Sequence, residues 1–94
     1  MNVEEYITHN QESIRQECQA IENGNSNAII TIKEDGASYI YQVSTVEEFV
    51  ETIPDNKFFK KMRNGINNAV LNKIIPIVIF ENQQAKIISF SDNF

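Results

Sequence analysis

Six side chains that can bind anions or nucleic-acid bases recur at helical spacing in the second half of the chain. At about 100° per residue they fall within about 120° of one another on a helix surface. They are Lys57, Lys60, Lys61, Asn64, Asn67 and Asn68. Lysine neutralises phosphates and carboxylates, and asparagine can pair with the edge of adenine. The pattern therefore predicts a partner-binding helix face.

Three interpretations of this face are open. The simplest is a solvated helix surface lying near Glu47, Glu48 and Glu51. The second is a contact surface for another protein. The third is DNA or RNA binding, for which the preceding short helix and the Pro54–Asn56 turn would permit a helix-turn-helix arrangement. Of the two functional interpretations the protein partner is favoured, because the centre of the face lacks arginine and the acidic remainder of the chain repels phosphate.

A metal site is not expected. Glu5, His9 and Glu12 follow i, i+4, i+7 spacing, and carboxylates with an imidazole can bind a divalent cation. One helix supplies three ligands at most, however, and the sequence has no second cluster of histidine or cysteine to complete the site. We interpret these residues as polar surface.

Nucleophilic catalysis and phosphate binding by a glycine-rich loop are not expected either. Cys18 falls in a predicted apolar stripe, and the single histidine, His9, faces the opposite side of the same helix. The three glycines are scattered along the chain, so they cannot build a phosphate-binding loop. The acidic residues cluster on predicted exposed faces, without an apolar pocket that would raise a pKa. We expect a protein without catalytic activity, cofactor or metal.

The charge of the chain changes sign along its length. Residues 1–55 carry eleven acidic and two basic residues, a net charge of −9. Residues 56–94 carry six basic and two acidic residues, a net charge of +4, which gives the total of −5. Such a polarised charge steers partners but specifies no chemistry. Mimicry of DNA by the acidic half ranks last among the functions considered, because its charge density is modest.

Length and composition predict one domain over residues 1–94 in the cytoplasm. The N-terminus has neither a basic start nor an apolar run, so no signal peptide is expected. The longest apolar run, residues 74–80, is far below the roughly 20 residues needed to cross a bilayer. A single cysteine fits a reducing compartment.

Residues 3–22 are predicted to form one amphipathic helix. Its apolar stripe consists of Val3, Ile7, Ile14, Cys18 and Ile21. Asn10 interrupts the stripe, and Gly24 is placed to end the helix in a left-handed cap.

Two segments flanking Asp35-Gly36 are predicted to pair as a hairpin around a type I′ turn. This register would set Ile30 opposite Tyr41 and Ile32 opposite Tyr39, with the tyrosines packing in the core rather than stacking on bases. The other face is mixed and would expose Ile29 and Ile40, which suits a homodimer contact.

Two helices are predicted next. Ser44 or Thr45 caps the first, which ends at Pro54. Its inward residues are Val46, Phe49, Val50 and Ile53. Asp55 is the predicted cap of the second helix, residues 56–73, which Gly65 could split. Its buried stripe comprises Phe59, Met62, Ile66 and Val70, with Phe58 and Ala69 alongside.

The last elements are predicted to be strands 75–80 and 85–90, joined around Asn82 and Gln83, with Pro76 at the start of an interior strand. The expected fold is α+β: a four-stranded antiparallel sheet of two hairpins, with an N-terminal helix and a central helix pair, in the order α-β-β-α-α-β-β. Strand order is left undetermined.

The sequence therefore favours a small, acidic, non-catalytic protein-binding module, such as an inhibitor, an immunity-type antagonist or an adaptor. The alternative is a small DNA- or RNA-binding regulator that uses the same lysine and asparagine face.

Overall fold

Two isoleucine-rich strands form the centre of the fold. The computed structural model describes residues 2–90. Strands β1 (Ala28–Asp35) and β3 (Pro76–Glu81) lie side by side and are parallel, with Ile30 opposite Ile77. Both are apolar on both faces, and such strands occupy the interior of a sheet covered on both sides. As predicted, Pro76 is the first residue of its strand, where its missing N–H costs no ladder hydrogen bond.

Each central strand keeps its own hairpin partner on its outer side. β2 (Ser38–Thr45) is antiparallel to β1, and β4 (Gln84–Ser89) is antiparallel to β3. The sheet order is β2-β1-β3-β4. The α+β class is confirmed, but the prediction of a purely antiparallel sheet is wrong. Since both apolar strands take the centre, the two hairpins meet through a parallel pair, and the sheet is mixed.

Four helices cover the sheet. In chain order they are α1 (Val3–His9), α2 (Gln11–Asn23), α3 (Val46–Thr52) and α4 (Lys57–Leu71). The first two pack on one face and the last two on the other, which gives three layers. No helix within residues 2–90 is long and apolar enough to cross a membrane.

The predicted N-terminal helix is two helices, because Asn10 breaks it. The Asn10 side-chain amide donates to the Tyr6 carbonyl at 2.9 Å, and its backbone N–H reaches the same oxygen. Asparagine competes with regular helix in this way. The predicted left-handed cap lies one residue later than expected: Gly24 has φ −84°, and Asn25 has φ +63°.

The first hairpin has a different register from the one predicted. Ile30 lies opposite Val43 and Ile32 opposite Tyr41, because the loop residues are Gly36 and Ala37 rather than Asp35 and Gly36. Of the two loop residues only Gly36 has positive φ, the pattern of a type II′ turn. The observed register differs from the predicted one by two residues, an even number, so every side chain stays on its predicted face of the sheet.

The second hairpin contains the turn expected for the first. Asn82 and Gln83 have φ of +53° and +60°. A type I′ turn needs positive φ at both central positions. The predicted loop position and both strands of this hairpin are confirmed within a residue.

The first face of the sheet forms the larger apolar core, together with α1 and α2. The buried isoleucines of both central strands pack against Ile7, Ile14 and Cys18. Tyr39 and Tyr41 are half-buried against this core, as predicted, and the Tyr6 ring lies 5.7 Å from that of Tyr39.

The second face forms a smaller core under α3 and α4. Its buried residues are Ile29, Ile66 and Val78. The predicted exposure of Ile29 is wrong, because Ile29 is fully buried under these helices. Ile40 is 56% exposed, as predicted. A dimer contact through both residues is therefore not available.

Candidate binding surface on helix α4

Helix α4 begins at a cap one residue later than predicted. The Asn56 side-chain oxygen accepts a hydrogen bond from the Phe59 N–H at 3.2 Å, so Asn56 is the cap and not Asp55. Asp55 instead accepts a 2.8 Å hydrogen bond from the Arg63 guanidinium. This ion pair links the turn before α4 to the second turn of the helix, so Asp55, the predicted cap, stabilises the start of α4 in another way.

Helix α4 is continuous through Gly65. A Cβ added at this glycine would lie 3.0 Å from Cδ1 of Ile87 on β4, so the helix approaches the sheet closely at this point. Ile66, on the next position, is fully buried. The glycine therefore permits close packing rather than splitting the helix.

The C-terminus of α4 is closed by a Schellman motif. The Lys73 N–H bonds the Val70 carbonyl at 3.0 Å, and the Ile74 N–H bonds the Ala69 carbonyl at 2.9 Å. Lys73 has φ +57°, a position that favours glycine. Both ends of the helix are therefore defined by specific hydrogen bonds, which stabilise the helix that presents the outer face.

All six predicted site residues are exposed on this outer face. The residues are Lys57, Lys60, Lys61, Asn64, Asn67 and Asn68. Within residues 2–90, none of the three lysines lies within 4.0 Å of a carboxylate, so the neighbouring glutamates of α3 do not neutralise them. Their ammonium groups are available to an external anion.

Sequence reasoning missed one large apolar side chain beside these lysines and another at the opposite end of the helix. Phe58 was predicted to lie beside the buried stripe, but it is 82% exposed. Its ring stands nearly perpendicular to that of Phe59, with centroids 4.9 Å apart. Leu71, on the last turn, is 81% exposed. The one available signal was the position of Phe58 at the border between the two predicted faces of the helix.

A shallow groove runs from Phe58 to the outer strand β4. It has a volume of about 410 Å³, and its lining includes Met62, Ile87, Lys61 and Lys86. Apolar contacts and positive charge are thus available side by side.

The charge change along the chain is also a separation in space. The acidic segment contributes α1, α2, β1, β2 and α3, whereas the basic segment contributes α4, β3 and β4. Because the sheet order is β2-β1-β3-β4, the two segments occupy opposite halves of the sheet. Within the sheet, the basic residues therefore lie on the side of β3 and β4, whereas the acidic helices α1 and α2 pack against strands of both halves.

Among the described residues, three groups have raised pKa values, and burial or a hydrogen bond explains each of them. Burial, assisted by Glu22 and Glu17, raises the pKa of the Cys18 thiol to about 11. A hydrogen bond to Glu17 raises the pKa of Tyr41 to about 12, and one to Glu81 raises that of Tyr39. In the part of the chain that the structure describes, no cluster of three metal-ligating side chains is present.

Comparisons with protein-family models, with curated proteins and with solved structures give no match to this chain. The surface is therefore interpreted from its own geometry.

Proposed function

We propose that this chain is a small, non-catalytic protein-binding module, of the inhibitor, immunity-type antagonist or adaptor kind, that binds an acidic surface of a partner protein through α4. The observation that carries the proposal is the outer face of α4, where unpaired lysines lie beside an exposed phenylalanine. The same chemistry without an aromatic anchor would be ordinary solvated surface.

Phe58 supplies the anchor that such a contact needs. A few buried aromatic residues usually carry most of the binding energy of a protein interface, while surrounding polar residues exclude water. Phe58 is 82% exposed, and its burial by a partner would remove a large apolar ring from water. The groove toward Ile87 gives the partner's apolar side chain a complementary site.

Lys57, Lys60 and Lys61 supply attraction and orientation. Complementary charge accelerates association and selects partners more than it raises affinity. Because these lysines are exposed, their attraction is screened by salt. The association rate should therefore fall steeply with ionic strength, whereas dissociation should depend mainly on Phe58.

The test is partner capture from the native host, followed by measurement of association and dissociation rates with the purified partner at 50–300 mM salt.

The double variant K60E/K61E should slow association at least tenfold at low salt. K33E/K73E is the matched control, since it changes the net charge equally but away from the face, and it should stay within about twofold. F58A should speed dissociation at least tenfold, which corresponds to about 1.4 kcal/mol. Unchanged binding by the triple variant K57E/K60E/K61E would rule out α4 as the contact.

The nucleic-acid alternative uses the same lysines and asparagines and is tested with the same variants. A gel-shift series at micromolar protein, with single- and double-stranded probes from low to moderate salt, gives the readout. Binding that the triple variant abolishes would favour the alternative, because phosphate contacts are strongly salt-dependent. Absence of binding would leave the protein partner.

A further inference from the structure

The outer strand β2 has none of the charges, prolines or bulges that usually protect a sheet edge. Natural proteins protect such edges with charged side chains, prolines or bulges. The eight residues of β2 include neither a charged residue nor a proline, and their pairing with β1 is regular over all eight positions. The opposite edge, β4, carries Lys86. No strand lies beyond β2 within residues 2–90.

Alternate residues of β2 direct their backbone groups away from β1. The two-residue loop Gly36-Ala37 makes Asp35 and Ser38 a hydrogen-bonded pair, and such pairs alternate with non-bonded ones along an antiparallel ladder. Tyr39, Tyr41 and Val43 therefore present their N–H and C=O groups outward. They form a row of donors and acceptors at a spacing of about 7 Å, which matches every second residue of an added strand.

Carboxylates surround this edge. Asp35 lies at one end of β2, and Glu47 and Glu48 lie in the first turn of α3 at the other. Glu17 accepts a 2.6 Å hydrogen bond from the Tyr41 hydroxyl, so a further carboxylate lies over the middle of the strand.

The nearest basic side chains on the neighbouring elements do not cancel these charges. The Lys33 ammonium lies 6.0 Å from the ring centroid of Phe80, on the side toward β3. The Arg15 guanidinium bonds the Glu12 carboxylate at 2.8 Å. The field at the edge of β2 is therefore negative.

We propose that β2 binds an extended segment of a partner protein that carries lysine or arginine, by adding it to the sheet as a fifth strand. Backbone hydrogen bonds would supply affinity, as in other cases of strand addition, and the surrounding carboxylates would select basic segments. A second copy paired β2 to β2 would bring its own carboxylates against these. The inference goes beyond the proposed function, since it uses the opposite edge of the sheet, and the failure of either leaves the other standing.

The test uses the full chain labelled with ¹⁵N and a synthetic eight-residue peptide of alternating valine and threonine with lysine at both ends. Saturating peptide should slow amide exchange at Tyr39, Tyr41 and Val43 at least tenfold. The outward-facing residues of β4, Ala85 and Ile87, should be unchanged. The same peptide with glutamate in place of lysine should bind at least tenfold more weakly.

Two variants make the outcome specific. Q42K places a positive charge on the exposed side of β2 and should weaken binding of the lysine peptide at least tenfold. K60E/K61E on α4 should not weaken this binding. Absence of protection at millimolar peptide, protection at β4 instead, or equal binding by Q42K would overturn the proposal. Protection of β2 without peptide that rises with protein concentration would also overturn it, because the occupant would then be a second copy.

Discussion

The two outer strands of this sheet differ in what they offer a partner. At the β4 edge, a lysine lies on the strand, and α4 adds exposed ammonium groups with Phe58 beside them. At the β2 edge, the strand is uncharged and its backbone groups face outward among carboxylates. The first edge offers side chains on a helix, and the second offers a backbone template.

The difference shows how topology turns a linear charge pattern into a spatial one. Each hairpin stays intact, and the two meet only through β1 and β3, so the strands of the acidic and basic halves do not interleave. An order in which β4 paired outside β2 would have brought Lys86 to the acidic edge. The polarity of the molecule thus depends on which strands occupy the centre.

The largest expected effect comes from truncating the buried side chain that packs α4 against the sheet. Ile66→Ala should lower the free energy of unfolding by about 2–5 kcal/mol, because it leaves a cavity where α4 meets the sheet. Urea denaturation gives the value. Leu71→Ala, on the same helix but 81% exposed, is the control and should change stability by less than about 0.5 kcal/mol. Similar losses for both variants would mean that α4 does not pack through Ile66.

In the larger core, under α2, the largest expected effect is a dependence of stability on alkaline pH. The pKa of Cys18 is about 11 in the folded chain, raised from 9.0, so the folded state favours the neutral thiol. This contribution is fully present below about pH 9 and is lost as pH rises to about 11, and it amounts to roughly 2 kcal/mol. Urea titrations of the wild type and of Cys18→Ala over this range measure it. Parallel pH profiles for the two proteins would contradict the prediction.

The caps of α3 and α4 should contribute smaller and similar amounts. The Thr45 hydroxyl accepts from the Glu48 N–H at 3.1 Å, and Asn56 does the same for Phe59. Thr45→Ala and Asn56→Ala should each cost about 1 kcal/mol by chemical denaturation. Ser44→Ala tests the alternative cap and should lower the free energy of unfolding by less than about 0.5 kcal/mol. A larger loss would identify Ser44 as the capping residue.

The smallest expected change in stability is at the C-terminal ends of α2 and α4, which have the same hydrogen-bond pattern. Asn25 and Lys73 both have positive φ in Schellman motifs. Lys73→Gly should raise the free energy of unfolding by about 0.5–1 kcal/mol, because glycine has no Cβ to strain there. Asn25→Gly should gain less, since asparagine tolerates this conformation better. Thermal or urea unfolding measures both, and a loss at Lys73 would show that its side chain stabilises the motif.

The sequence was sufficient to predict the features that depend on local periodicity. The alternating and helical patterns placed Ile66 and Cys18 in the core and put the lysines of α4 outward, because burial follows the geometry of a single element. Thr45 was identified as one of two candidate caps because the capping box is also a local sequence pattern.

The features that depend on contacts between elements were not predictable in this way. Nothing within either hairpin specifies that Ile30 lies beside Ile77, so the parallel pair was missed. Phe58 was misplaced because it lies at the border of the predicted apolar stripe, and the helix pattern does not say whether another element covers a border residue. The break at Asn10 and the choice of Gly36-Ala37 as the loop depend on single backbone angles that periodicity does not report.

The parallel contact between β1 and β3 also has a consequence for the nascent chain. β1 is synthesised early, but its second neighbour follows only after β2, α3 and α4 have been made. Until then, a strand with isoleucine on both faces carries one unpaired side, and α1 and α2 can shield only one of its faces. Such exposed strands are where misassociation begins during synthesis. Production of this protein should therefore be limited by the interval before β3 leaves the ribosome, and slower translation through residues 46–75 should increase the demand for chaperones.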